Sequence, residues 1–147
     1  MKPKPNILFM VHVEEMFRQY FPDSMYLHRI LRAYNCRKYS RVWFLESHID
    51  NDGLAGSLEN RISREDRIEW SWGYEKDMFN DEEREWIIPA CGHVFTWVPP
   101  ELREMLPILK EANVFVGGGS EYECLLDWCD CLDYLDINYQ KIQGYIF

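Results

Sequence analysis

The chain has 147 residues, of which 47% are hydrophobic, 16% aromatic and 28% charged, with a formal net charge of -9. That length suits one domain able to bury its own core, and no apolar run nears the ~18 residues of a membrane span, so collagen-like, coiled-coil, disordered and membrane-spanning classes are excluded. Residues 1–45 hold eight Lys/Arg against three Asp/Glu, a net of +5, and residues 46–147 hold eight against twenty-two, a net of -14; a field of that sign disfavours nucleic acid as a partner.

Lys2-Pro3-Lys4-Pro5 reads as an extended lead-in, because each proline disfavours helix at the residue before it. The run Ile7 to Val13 is apolar apart from His12, which predicts a strand covered on both faces. Asp23 is a candidate N-cap for a helix over 24–35, where Leu27, Ile30, Leu31 and Tyr34 form one stripe. Arg41 to Leu45 predicts a second strand, followed by the polar cluster Glu46-Ser47-His48-Ile49-Asp50 and an Asn51-Asp52-Gly53 turn. Leu58 to Glu69, charged with sparse apolar positions, reads as helix. Trp70, Trp72 and Tyr74 alternate like an edge strand, and Asp81 to Ile88 like another short helix.

His93 to Val98 predicts a third strand, ended by Pro99-Pro100. A helix from Glu101 to Ala112 follows, with Leu102, Met105, Leu106 and Leu109 on one face and Pro107 expected to kink or shorten it. Val114 to Val116 predicts a fourth strand entering Gly117-Gly118-Gly119-Ser120. In the next helix Cys124, Leu125, Trp128, Cys129, Leu132 and Leu135 share one arc, with Glu123, Asp127, Asp130 and Asp133 opposite. Tyr139 to Phe147 closes the chain as a fifth strand. The alternation predicts a single α/β domain over residues 1–147, three-layered and Rossmann-like, with about five mainly parallel strands and helices on both faces.

In such sheets ligands bind beyond the carboxyl ends of the strands, where strand order reverses. That rule gathers His12, Glu14 and Glu15 after the first strand, Glu46, His48 and Asp50 after the second, Trp97 at the end of the third, and the Gly117–Ser120 loop, with Gly118, Gly119 and Ser120, before the last helix. Cys124 lies in the first turn of that helix, where the positive end of the helix dipole can activate a thiol while Glu121 and Glu123 oppose it. Burial as a small apolar residue is the preferred account of Cys124, and a tight turn accounts for the glycines without a phosphate. Glu46-x-His48, with Asp50 and His12 or His93, offers metal-ligand types, but hydrogen-bonded polar residues at a strand exit explain the same pattern, so neither metal nor cofactor is assigned. The five cysteines, odd in number, and a start without a signal-peptide core point to reduced thiols and a cytoplasmic location.

The segments LFMVHVEEMF, FLESHID and residues 101–147 together resemble the isochorismatase-like cysteine hydrolase family, which includes nicotinamidases. The resemblance implies that fold, hydrolysis of an amide-like bond and Cys124 as nucleophile; if such chemistry occurs, His12 or Glu46 is the expected base. His12 stands where that family has an Asp, and Thr96 or Trp97 where it has a lysine. GHVFTWVPPEL and GGGSEYECL are also similar to segments in small proteins of tailed bacteriophages. The expected function is binding of a small polar metabolite or nucleotide-like ligand at the carboxyl edge, through His12, Glu14, Glu46, His48, Trp97, Gly118, Gly119, Ser120 and Cys124. The competing expectations are an acidic interaction or inhibitor protein that engages a partner protein through its last helix, and a homodimer built on the aromatic middle segment.

Overall fold

A computed structural model describes residues 3–47, 53–90 and 94–147. Strand β1 (Asn6–Val11) lies at the centre of a five-stranded parallel sheet. Alternate side chains of β1 enter two cores, because successive residues of a strand point to opposite faces. Ile7, Phe9 and Val11 join one cluster, and Leu8 and Met10 the other. Helix α1 (Tyr26–Asn35) covers the second face with Tyr26, Ile30 and Ala33, then leads into β2 (Arg41–Glu46), which pairs with β1 in parallel. Asp23 contributes a hydrogen bond from the Met25 amide to its carboxylate (2.8 Å) just ahead of that helix.

The parallel sheet then grows from an unexpected source. The span predicted as one helix holds a single α-helical turn, α2 (Leu58–Arg61), and a 3₁₀ turn (Arg64–Asp66), and β3 (Arg67–Glu69) pairs with the end of β2 in parallel. Arg67 is drawn into the sheet edge by Glu46 of β2, and Ile68, in register with Leu45, is fully buried. The chain continues into β4 (Trp72–Gly73), the one-turn helix α3 (Asp81–Arg84), β5 (Ile87–Ala90) and β6 (Val94–Trp97). A capping box between Asn80 and Glu83 starts α3, but the predicted helical span ends at Arg84 and its last residues enter β5. Strands β4, β6 and β5 form a separate antiparallel sheet. The predicted third parallel strand, HVFTWV, is therefore corrected: its described part belongs to the antiparallel sheet, and β3 takes its place in the parallel one.

Helix α4 (Pro100–Lys110) starts on Pro100 and runs through Pro107, ending two residues before the expected Ala112. Strand β7 (Asn113–Gly118) pairs with the other side of β1, helix α5 (Cys124–Tyr134) packs onto the β1–β7 side, and β8 (Tyr139–Ile146) closes the far edge. Leu125, Trp128, Cys129, Cys131 and Leu132 of α5 share the core cluster that holds Leu102 of α4, Trp70, and Ile88 and Val98 beside the small sheet. Asp127 is buried too (6% exposed), so it leaves the acidic outer face expected of α5. The strand order β3-β2-β1-β7-β8 reverses between β1 and β7. No helix among the described residues is long and apolar enough to cross a membrane.

Candidate functional site at the carboxyl edge

The chain leaves β1 through His12, whose φ of 53° is left-handed. A non-glycine residue in that conformation stores on the order of 1–3 kcal/mol, and such residues persist only where neighbours hold them. Here the neighbours are backbone groups on both sides. The His12 amide donates to the Leu45 carbonyl (2.9 Å), and the Gly119 amide donates to the Val11 carbonyl (2.9 Å). Beyond His12, the Ala55 amide donates to the Val13 carbonyl (3.0 Å), and Glu14 forms an isolated antiparallel bridge with Leu54. The segment is thus fixed across the edge of the sheet.

His12 and Glu14 are 2% and 3% exposed, where solvent cannot serve their polar atoms. The Glu14 carboxylate accepts from the Ser47 amide (3.3 Å) and hydroxyl (3.2 Å), and its Oε2 lies 3.4 Å from His12 Nδ1. The His12 ring stacks on Phe17 (5.7 Å between centroids, 23° between planes) and lies T-shaped to Trp70 (5.7 Å, 75°). Its Nε2 is buried and has no hydrogen-bond partner among the described residues. A carboxylate and a hydroxyl thus face the Nδ1 side of this buried histidine.

Burial pushes the Glu14 carboxyl up to about 7 from an ordinary 4.5, against the pull of the Ser47 hydrogen bonds, with Glu46 adding repulsion and Arg67 opposing it. Burial alone lowers His12 to about 4, so the imidazole is neutral at pH 7. A carboxyl raised on folding binds extra protons in the native state between pH 4.5 and 7, so its penalty is absent below 4.5 and complete above 7. Glu14→Gln is accordingly expected to stabilise the fold at pH 8 by up to about 3 kcal/mol. The gain should shrink below pH 7 and vanish near pH 4.5. Urea unfolding across that range checks this, and a difference that does not change with pH would contradict it.

Glu46 is fully buried, and both its oxygens are held by Arg67, Nε to Oε2 and Nη2 to Oε1, each at 2.6 Å. Arg67 also reaches Glu59 (2.8 and 3.2 Å), and Glu59 accepts from the Leu54 amide (2.7 Å). These carboxylates raise the Arg67 guanidinium above its ordinary value. Glu46 therefore anchors the segment facing Glu14, with its bidentate pair leaving no free oxygen pair for a ligand.

Beside this polar cluster opens a cavity of about 280 Å³ lined by Phe17, Tyr20, Gly119, Ser120, Glu123, Cys124 and Phe147. Phe17 and Tyr20 come from a 3₁₀ turn (Glu15–Tyr20) with no buried residue. Ser120 is fixed through its carbonyl, which accepts the Glu123 and Leu125 amides (3.0 Å each). Cys124 is half-buried, and burial, then Asp127, Glu123 and Glu14, push its thiol up to about 12. The helix N-terminus does not offset these carboxylates, so the thiol keeps its proton at pH 7. Glu123 is the charged residue of the described lining, and nearby Arg18 is turned to Glu15 (2.5 Å). Negative charge at the rim disfavours anions and favours neutral or cationic ligands.

The sequence thus identified Gly119, Ser120 and Cys124 in the lining, with His12 and Glu14 behind it and Gly118 in the turn beneath. Trp97 is not among them: it lies in the antiparallel sheet with the Arg103 guanidinium over its ring (5.6 Å). His48, Asp50 and His93 lie outside the described residues, and no three His, Cys, Asp or Glu side chains among the described residues converge to hold a metal. Sequence reasoning missed Ser47, Phe17, Tyr20 and Phe147; the spacing of Phe17 and Tyr20, one turn apart just after a strand exit, was their available signal. A larger cavity of about 410 Å³ lies at the opposite, amino end of β7 and β8, lined by residues such as Asn113, Asn138 and Gln140 and away from these groups.

Fold and crevice together define an α/β protein with a cavity where the strand order of its parallel sheet reverses. No protein-family model, curated protein or solved structure matches the chain.

Proposed function

We propose that the crevice between β1 and β7 binds a small neutral or cationic ligand carrying an aromatic or apolar ring, such as an aryl amide or an arylalkyl amine. The carrying observation is the cavity at the reversal of strand order, walled by Phe17, Tyr20 and Phe147 and edged by Glu123, with no cation in the lining among the described residues. Rings supply stacking surface, and the carboxylate attracts an ammonium or amide N–H. The likeness to isochorismatase-like cysteine hydrolases supports the same location, since Cys124 lines it. A protonated thiol and a neutral His12 in place of that family's Asp favour binding over turnover.

Saturation-transfer NMR with phenethylamine, benzamide and phenyl phosphate tests the proposal. Signal transfer is expected for the first two and not for the phosphate, and Ser120→Tyr, which fills the cavity, should abolish it. Equal transfer to the variant, or transfer to the phosphate alone, would contradict the proposal.

A further inference from the structure

His12 brings together features that seldom coincide: a left-handed backbone, near-complete burial, and one ring nitrogen served while the other has no partner among the described residues. A neutral imidazole carries one hydrogen, so one nitrogen donates and the other accepts. Nδ1 faces two oxygens at 3.4 Å, Glu14 Oε2 and Ser47 Oγ. An ionised carboxylate only accepts, and the Ser47 hydroxyl is already directed at Glu14 Oε2 (3.2 Å). The hydrogen therefore belongs on Nδ1, and Nε2 is left with a lone pair. Phe17 and Trp70 enclose the ring without supplying a donor to it. A buried acceptor without a donor is costly, which in native structures marks a place for a ligand or an ordered water.

Resting on the reading of the cavity given above, we infer that His12 Nε2 accepts a hydrogen bond from an N–H of the bound ligand, and that Glu14 is the positioning residue that holds the imidazole in the Nδ1–H form. Phe17 supports the connection, because one ring both lines the cavity and covers the imidazole. Phe17 sits on a turn that buries none of its residues, and this ring must move aside for a ligand in the cavity to reach the imidazole. An ammonium or amide N–H would then be held between Nε2 and the Glu123 carboxylate at the rim. The ligand class narrows accordingly: a ring alone is insufficient, and a nitrogen-bound hydrogen is required.

The test uses the full chain labelled with ¹⁵N-histidine at pH 8, above the Glu14 value of about 7. Long-range ¹H–¹⁵N spectra should show His12 with hydrogen on Nδ1 and a bare Nε2. Glu14→Leu should move the hydrogen to Nε2, the form ordinarily preferred by free imidazole side chains, and Ser47→Ala should leave it on Nδ1. Phenethylamine should shift the Nε2 resonance, whereas its N-trimethyl analogue, which has no N–H, should not. His12→Asn, which tolerates the left-handed backbone, should weaken phenethylamine about tenfold and leave the trimethyl analogue unchanged. Hydrogen on Nε2 in the unmodified protein, or an Nε2 unmoved while the Ser120 and Cys124 amides respond, would overturn this inference alone. No response at Ser120 and Cys124 would overturn the reading of the cavity and this inference with it.

Discussion

Gly118→Ala is expected to remove the folded state under ordinary conditions, a loss above about 4 kcal/mol. At φ 89° an L side chain is strained, and the new Cβ would stand 2.0 Å from the Val11 carbonyl oxygen and 2.5 Å from the Val11 nitrogen. Those atoms belong to the central strand and cannot yield as the end of a flexible side chain would. The same carbonyl accepts the Gly119 amide, so the clash falls on the bond that closes the crevice. Gly144→Ala is the matched control: its Cβ would meet nothing within 4 Å. Its stability should stay within about 0.5 kcal/mol of the parent. Urea unfolding of the pair decides the matter, and a Gly118→Ala protein as stable as Gly144→Ala would refute the close approach of β1 and β7.

Removing one member of the buried ion pair should be nearly as damaging. Glu46→Ala leaves the Arg67 guanidinium, 6% exposed in its side chain, without the bidentate partner that holds it in the sheet. Breaking a buried pair in this way typically costs about 3–5 kcal/mol, because the surviving charge is left poorly solvated. Glu59 remains but is 40% exposed and offers only partial relief. Replacing both partners, Glu46→Leu with Arg67→Leu, should recover most of the loss, since an apolar pair carries no desolvation penalty. Equilibrium unfolding of the single and double variants measures the difference. A double variant no better than Glu46→Ala would show that packing around Arg67, rather than its charge, sets β3.

The contrast between these two residues explains which parts of the fold the sequence made legible. β1, α1, β2, α4, β7, α5 and β8 were readable because their local hydrophobic period agrees with the layer each finally joins. β3 was not, because Arg67-Ile68-Glu69 has one apolar residue and becomes a strand through a partner 21 residues earlier in the chain. The apolar run at Val94–Trp97 was recognised as a strand, yet its periodicity is the same in either sheet and could not say which it would join. The pattern also hid the burial of Asp127, since it lies on the polar arc of α5 by angle alone.

The site divides along similar lines. His12 was visible as a polar residue interrupting a central strand, and the rule of strand order brought Glu14, Gly119, Ser120 and Cys124 to the same edge. Glu46 carried the right residue type for a ligand-binding role, but its alliance with Arg67 is a long-range fact. The aromatic walls depend on a 3₁₀ turn and on the chain end folding back, where the Phe147 amide donates to the Gly118 carbonyl (3.0 Å). Nothing in the local sequence around Phe147 announces that return.

Occupation of the crevice is tested most directly by mapping the backbone amide shifts of the ¹⁵N-labelled chain during titration with phenethylamine. The expected result is saturable movement of His12, Phe17, Gly119, Ser120 and Cys124, with the amides of Arg32 and Cys36 beside the groove on α1, and of Asn113 and Gln140 at the amino end of the sheet, remaining still. Saturable shifts confined to either of those two other regions, with the carboxyl edge unmoved, would contradict the assignment of the β1–β7 crevice as the binding site.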